Sequence, residues 1–214
     1  MHSRYDSLFD SESLKKIQAF FDTRDRWKAI LDYRKLAPEV GRVKNLFYGD
    51  SITDMWPLHE FFPNSSVLNR GIGGDNACGL YMRLEDDVFP YRPEKVFMMV
   101  GINGIELDKQ LILDRARAVA SLIREHGAQV WLSSILPLRN PDAWNRFQYQ
   151  QKILEINAEQ KVWSERNLDG FLDYHSRLKD ETGQLAAGYA LPDGTHLNFA
   201  AYRVMADVVR PYLA

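Results

Sequence analysis

Five short apolar runs, each closing on a polar or glycine turn and followed by a helical stretch, constrain this chain more than any other feature. They are VKNLFYG (43–49), SVLNRG (66–71), KVFMMVG (95–101), QVWLSSILP (129–137) and LDGFLDY (168–174). Their hydrophobicity is continuous rather than alternating, as strands covered on both faces require, and such strands belong to parallel sheets. The stretches between them carry the helical period. Leu111, Val119, Leu122 and Ile123 mark one, and Phe199, Tyr202, Met205, Val208, Val209 and Tyr212 mark the last. Ahead of the first run, Leu14, Ile17, Phe20 and Phe21, then Trp27, Ile30 and Leu31, repeat at helical spacing, with Thr23 and Asp25 at the break. The pattern predicts a three-layer α/β/α sandwich around a central, mainly parallel five-stranded sheet joined by right-handed crossovers. Residues 1–40 read as an N-terminal helical extension packed on the domain, and residues 41–214 as the domain itself.

Composition removes several classes of function. With 27 basic and 29 acidic side chains the net charge is −2, so the electrostatic footprint of a nucleic-acid or anionic-membrane binder is missing. A single cysteine, Cys78, excludes an intramolecular disulfide and a zinc site built on several thiolates. The longest apolar stretch, 96–102, is far short of the ~20 residues that span a bilayer, so no membrane insertion is expected. The first residues, MHSRYDSLFDSESLKK, show neither an apolar core nor a small-residue cleavage site, and a cytoplasmic location is the expectation.

In parallel α/β sheets ligands sit at the carboxyl ends of the strands. The first strand exits through Gly49-Asp50-Ser51-Ile52-Thr53, the second through Gly71-Ile72-Gly73-Gly74-Asp75 and the third through Gly101-Ile102-Asn103-Gly104, while Asp193-Gly194-Thr195-His196 stands near the C-terminus. Each alone has an ordinary reading as a turn or a helix cap; their order at successive strand ends is harder to obtain by chance. A serine hydroxyl becomes nucleophilic when an imidazole takes its proton, and a carboxylate must hold that imidazole in the right tautomer. Asp193 and His196, three residues apart on one turn, can present a carboxylate to Nδ1 while Nε2 points at Ser51. The backbone N–H groups of Ser51 and Gly74 and the Asn103 amide could supply an oxyanion hole.

These four blocks resemble the SGNH, or GDSL-type, hydrolase superfamily from Gly49 to His196, with GIGGD and GxNG most similar to the branch of the platelet-activating-factor acetylhydrolase catalytic subunits. The resemblance implies a flavodoxin-like SGNH hydrolase fold for residues 41–214. It makes Ser51 the nucleophile, Asp193 and His196 its partners, and Ser51, Gly74 and Asn103 the oxyanion donors. One departure stands out: the third block usually reads GxND, whereas Gly104 replaces the Asp and Ile102 a common Thr. No GxSxG elbow surrounds Ser51, which argues against the α/β-hydrolase fold.

The expected activity is a serine esterase cleaving small acyl esters, acetyl above all, through an acyl-enzyme, with O-acetylated carbohydrate as one candidate substrate. A lysophospholipase or longer-chain acyl hydrolase, an acyltransferase, and a catalytically silent binding module are the alternatives. No cofactor and no metal is called for. Asp50, Trp56, Trp144 and Phe147 are candidate substrate-binding residues, since they adjoin the nucleophile or follow the fourth strand. His59 also follows the nucleophile loop, with packing its ordinary reading. Glu85, Asp86 and Asp87 read as a solvated helix end, and Cys78 as a small buried residue. The N-terminal helices either pack on their own domain or dock on a second copy in a homodimer.

Overall fold

The computed structural model describes residues 4–24, 26–139 and 147–214. Two helices, α1 (Ser11–Asp22) and α2 (Arg26–Val40), precede the first strand, β1 (Asn45–Gly49). The short helices α3 (Ser51–Asp54) and α4 (Leu58–Phe61) lead to β2 (Val67–Gly71), and α5 (Ala77–Met82) and α6 (Leu84–Asp87) lead to β3 (Lys95–Met99). Then come α7 (Lys109–Glu125), β4 (Gln129–Ser133), α8 (Gln150–Asn167), β5 (Gly170–Leu172), α9 (Tyr174–Leu178) and α10 (Phe199–Val209). The strands form one sheet in the order β2-β1-β3-β4-β5, every pair parallel. This is the expected three-layer sandwich with a five-stranded sheet.

Alternate residues of the buried strands feed two separate cores. Leu46, Tyr48, Val96, Met98, Val130 and Leu132 join one with α1, α2, α5 and α7, whereas Phe47, Phe97, Met99 and Trp131 join the other with α9 and α10. Successive side chains of a strand point to opposite faces, so α1 and α10 cover opposite sides of the sheet. Polar caps begin α1, α7 and α10. Asp10 accepts from Ser13 N at the start of α1, Asp108 from Gln110 N and Leu111 N at α7, and Asn198 from Ala200 N and Ala201 N at α10. These bonds satisfy donors that no preceding turn can serve. Thr23 ends α1 by donating its hydroxyl to Phe20 O; Asp25 lies outside the described residues.

The α1 and α2 helices share the core of the sandwich: Ile17, Phe21, Ile30 and Ala37 are buried in it, α1 against α5 and α2 against α6. No helix among the described residues is long and apolar enough to cross a membrane.

Candidate active site

Strand order reverses between β1 and β3, and open α/β sheets bind ligands at the carboxyl ends of the strands beside such a reversal. At this point β1 turns directly into α3, whose first residue is Ser51. Three neighbours fix the turn. Asp50 caps α3, its carboxylate accepting Ile52 N at 3.0 Å. Asn69 of β2 donates its amide to Thr53 O and Trp56 O while accepting from Gly71 N. From the other face, Tyr202 of α10 donates its hydroxyl to Ile52 O at 2.8 Å.

The loop ahead of α10 brings in Asp193 and His196. Oδ1 of Asp193 accepts the backbone N–H of Thr195 at 2.9 Å and of His196 at 2.8 Å, which folds the turn around the carboxylate. Its Oδ2 lies 2.6 Å from His196 Nδ1, and His196 Nε2 lies 2.9 Å from Ser51 Oγ. Burial works to raise the Asp193 carboxyl, but the hydrogen bonds from His196 and Thr195 and the imidazole's charge outweigh it and hold the group below its ordinary value. An ionised Asp193 keeps the proton on Nδ1, which leaves Nε2 to accept from the Ser51 hydroxyl.

The turn after β2 lies against this pair. Gly73 N donates to Asp54 Oδ2 at 2.9 Å, tying it to α3. Gly74 has φ +83°, a left-handed conformation that favours glycine, and a Cβ there would collide with the Phe20 ring. Among the described residues, neither the Ser51 N–H nor the Gly74 N–H donates to a protein acceptor. From the β3 exit, the Asn103 amide donates to Asp75 O at 2.8 Å and lies in the same cleft. Gly104 has φ +97°, a conformation in which an aspartate would be strained.

Below both turns lies a buried ionic cluster. Arg83 donates to Asp75 Oδ2 at 2.8 Å, Asp87 Oδ2 at 2.6 Å, Arg70 O at 2.9 Å and Gly49 O at 3.0 Å. Burial pushes the Asp75 and Asp87 carboxyls up, and Arg83 pulls both back. One guanidinium thus joins the end of β1 to the residue after Gly74. Of the residues read as a solvated helix end, Glu85 is exposed, but the reading is overturned for Asp86 and Asp87, which are buried and have Arg34 and Arg83 as partners.

Ser51, Gly73, Gly74, Asn103 and His196 line one open cleft of about 560 Å³, within the usual range for small-molecule sites. Its other wall is α1, through Ser13, Lys16, Ile17 and Phe20, with Arg24 just beyond. Sequence reasoning missed this wall, since an apolar helical stripe announces burial without naming what it covers.

Two expected substrate contacts are corrected. Asp50 is 1% exposed and is occupied as the α3 cap, so it does not reach the cleft. Trp56 is 3% exposed, its ring packed among those of Phe47, Phe62, Tyr174 and Tyr202, so it belongs to the core. Trp144 lies outside the described residues, and of Phe147 only the backbone, in the turn Phe147–Tyr149, is described. His59 is exposed on α4, outside the lining of the cleft, and Cys78 is buried as expected. No group of acidic, histidine and cysteine side chains suited to a metal ion occurs among the described residues.

A parallel sheet with a serine, a histidine and an aspartate hydrogen-bonded in series at its switch point defines a serine ester hydrolase of the SGNH fold. Residues 47–204 match the GDSL-like Lipase/Acylhydrolase family, and the chain belongs to that family. Its structural relatives include a Streptococcus pneumonia protein provisionally described as a platelet activating factor, 25% identical with a TM-score of 0.82 over 96% of this chain and 100% of that one. A GDSL-like lipase from Bacteroides thetaiotaomicron is 23% identical, with a TM-score of 0.76 over 86% and 98% of the two chains. An acetylxylan esterase from Geobacillus stearothermophilus is 19% identical, with a TM-score of 0.64 over 80% and 94%. No curated protein matches the chain in sequence.

Proposed function

We propose that this chain hydrolyses small acyl esters, acetyl esters above all, with Ser51 as nucleophile, His196 as general base and acid, and Asp193 as the group that orients and stabilises the imidazolium. The observation that carries the reading is the unbroken series from Asp193 Oδ2 through His196 to Ser51 Oγ, at 2.6 and 2.9 Å, on the floor of an open cleft.

The Ser51 oxygen attacks the ester carbonyl as its proton passes to His196 Nε2. The carbonyl oxygen becomes an anion held by the N–H groups of Ser51 and Gly74 and by the Asn103 amide. His196 then gives its proton to the departing alkoxide, leaving an acyl-Ser51. Water, deprotonated by the same imidazole, attacks the acyl carbonyl; the second tetrahedral intermediate collapses to carboxylic acid and restores the Ser51 hydroxyl. An alcohol in place of water would make the chain an acyltransferase.

The short acyl group is supported by the cleft itself. Ser13, Lys16, Asn76 and Glu106 break up its apolar residues, and Phe20 closes in on Gly74. O-acetylated carbohydrate is the substrate class we favour. The relatives described as acetylxylan esterases share the fold, so this preference rests on the open, mixed-polarity cleft. The test is kcat/KM across p-nitrophenyl acetate, butyrate, hexanoate and octanoate, with Ser51→Ala as control. A peak at acetate or butyrate is expected. A channel that solvated the chain would instead raise kcat/KM about fourfold per methylene, at ~0.8 kcal/mol each, and a steady climb to octanoate would move the enzyme to the long-chain reading.

A further inference from the structure

We infer that Arg83, acting through Asp75, is a positioning residue of the oxyanion hole: it holds the Gly74 N–H and the Asn103 amide in register with the Ser51 N–H, and so bears on kcat as well as on stability. This rests on the ester-hydrolase reading above, in which those groups are the oxyanion donors.

The donors belong to separate strand exits, and they act together only if each lies about 2.7–3.1 Å from one oxygen position. Pairing within the sheet does not reach that far. The β1–β2 ladder ends at Gly49 and Gly71, and the β1–β3 ladder at Gly49 and Met99. Past these residues Ile72 N donates to Gly49 O at 3.0 Å and Gly73 N to Asp54 Oδ2 at 2.9 Å, which ties the turn after β2 to β1 and α3 ahead of Gly74. Behind Gly74 the tie is Asp75.

Asp75 works in two directions. Its carbonyl accepts the Asn103 amide at 2.8 Å, a bond that fixes the plane of that amide. Its carboxylate accepts Asn76 N through Oδ1 and Arg83 Nε through Oδ2, both at 2.8 Å. Arg83 in turn donates Nη2 to Gly49 O at 3.0 Å and Nη1 to Arg70 O at 2.9 Å, at the ends of the two strands whose exits carry Ser51 and Gly74. Its guanidinium lies over the Tyr48 ring of β1, 4.3 Å from the centroid, and Arg83 and Asp75 are both fully buried. A planar group whose donors are fixed in one fork, seated on a strand, cannot turn to follow a partner that drifts. The strand ends are thus linked through Arg83 and Asp75 to Asn103 by bonds of 2.8 to 3.0 Å throughout.

The experiment measures kcat and KM for p-nitrophenyl acetate in the wild type, Arg83→Lys, Asn103→Ala and the double variant, with a thermal melt of each. Lysine keeps the charge that faces Asp75 and Asp87 but gathers its donors on one atom, so the fork is lost. In Arg83→Lys kcat should fall about 10- to 100-fold with KM within about threefold of wild type, because displaced donors are missed only as negative charge develops. The Asn103→Ala loss should be at least about threefold milder in the Arg83→Lys background, where the amide is already out of place. Val209→Ala, in the core at the far end of α10, controls for lost stability: its Tm should fall while kcat holds. If Arg83→Lys does not fold, Asp75→Asn takes its place, since its single amide oxygen cannot serve both Asn76 N and Arg83 Nε; the same two readings are expected. A kcat within about threefold of wild type in the folded variant, or losses that simply multiply in the double variant, would overturn the inference. Failure of the underlying reading looks different: the wild type would not cleave the ester, or Asn103→Ala would keep the wild-type kcat. An impaired Asn103→Ala beside an unimpaired Arg83→Lys overturns this inference alone.

Discussion

Replacing Gly74 by alanine is a sharp perturbation because one methyl group meets two separate obstacles. The first is the backbone. At φ +83° an L-residue sits in the left-handed region at a cost of about 1–2 kcal/mol. The second is Phe20: the new Cβ would lie 2.8 Å from Cε1 and closer still to Cζ, where ordinary carbon contacts begin near ~3.5 Å. Overpacking of that kind costs about 1–3 kcal/mol once the ring has shifted to relieve it. The two together would lower unfolding stability by roughly 2–5 kcal/mol, and each kcal/mol lowers Tm by about 2–4 °C in a chain of this size. If instead the turn yields, the Gly74 N–H is displaced by something near ~1 Å, and a donor aimed at a developing oxyanion is lost, at about 10²- to 10³-fold in kcat. Steady-state kinetics on p-nitrophenyl acetate and a thermal melt of the same sample separate the two responses. The expected result is a fall in kcat of at least tenfold with KM little changed, together with a lower Tm. Phe20→Ala in the Gly74→Ala background should recover part of both, since it removes the steric half and leaves the backbone half. Wild-type kcat and Tm in Gly74→Ala, or fully additive losses in the double variant, would refute the reasoning.

Asn103→Ala should lower kcat by about 10²- to 10³-fold with KM nearly constant, because its hydrogen bond strengthens only as charge develops. A large rise in KM at constant kcat would make Asn103 a binding residue instead. Arg83→Met should cost about 3–5 kcal/mol in urea unfolding, since Asp75 and Asp87 would stay buried without their cation; a loss below ~1 kcal/mol would contradict the cluster's structural role. Burial holds the His175 imidazole below its ordinary value, and its Nε2 has no hydrogen-bond partner among the described residues. The unfolded chain takes up this proton below about pH 6.5 while the native state resists it, so stability present above that pH is lost on acidification. His175→Gln should flatten the fall in urea midpoint between about pH 7 and 5, and an unchanged slope would assign the acid sensitivity to other groups.

The sandwich was legible because strands buried on both faces cannot hide their composition. Val96, Phe97, Met98 and Met99 alternate between the two cores, yet all four are buried and all four are apolar. Placing the strands placed their exits, and the exits carried Ser51, Gly74 and Asn103. What stayed hidden depends on contacts between residues far apart in the chain. Phe20 lies on a legible apolar stripe, but nothing local links that stripe to the turn after β2. Asp86 and Asp87 look like solvent-facing charges until Arg83 is seen to be buried with them, donating also to the carbonyls of Gly49 and Arg70. Asp50 and Trp56 were drawn toward the substrate by their closeness to Ser51 in sequence. In space the first turns back to cap α3, and the second turns under it into an aromatic core.

The central claim is that His196 makes Ser51 a nucleophile, and the most direct test is covalent labelling with a fluorophosphonate followed by peptide mass spectrometry. The enzyme should take up one equivalent, on Ser51, with labelling slowed by orders of magnitude in His196→Ala and abolished in Ser51→Ala. Label on another residue, or equal rates with and without His196, would contradict it.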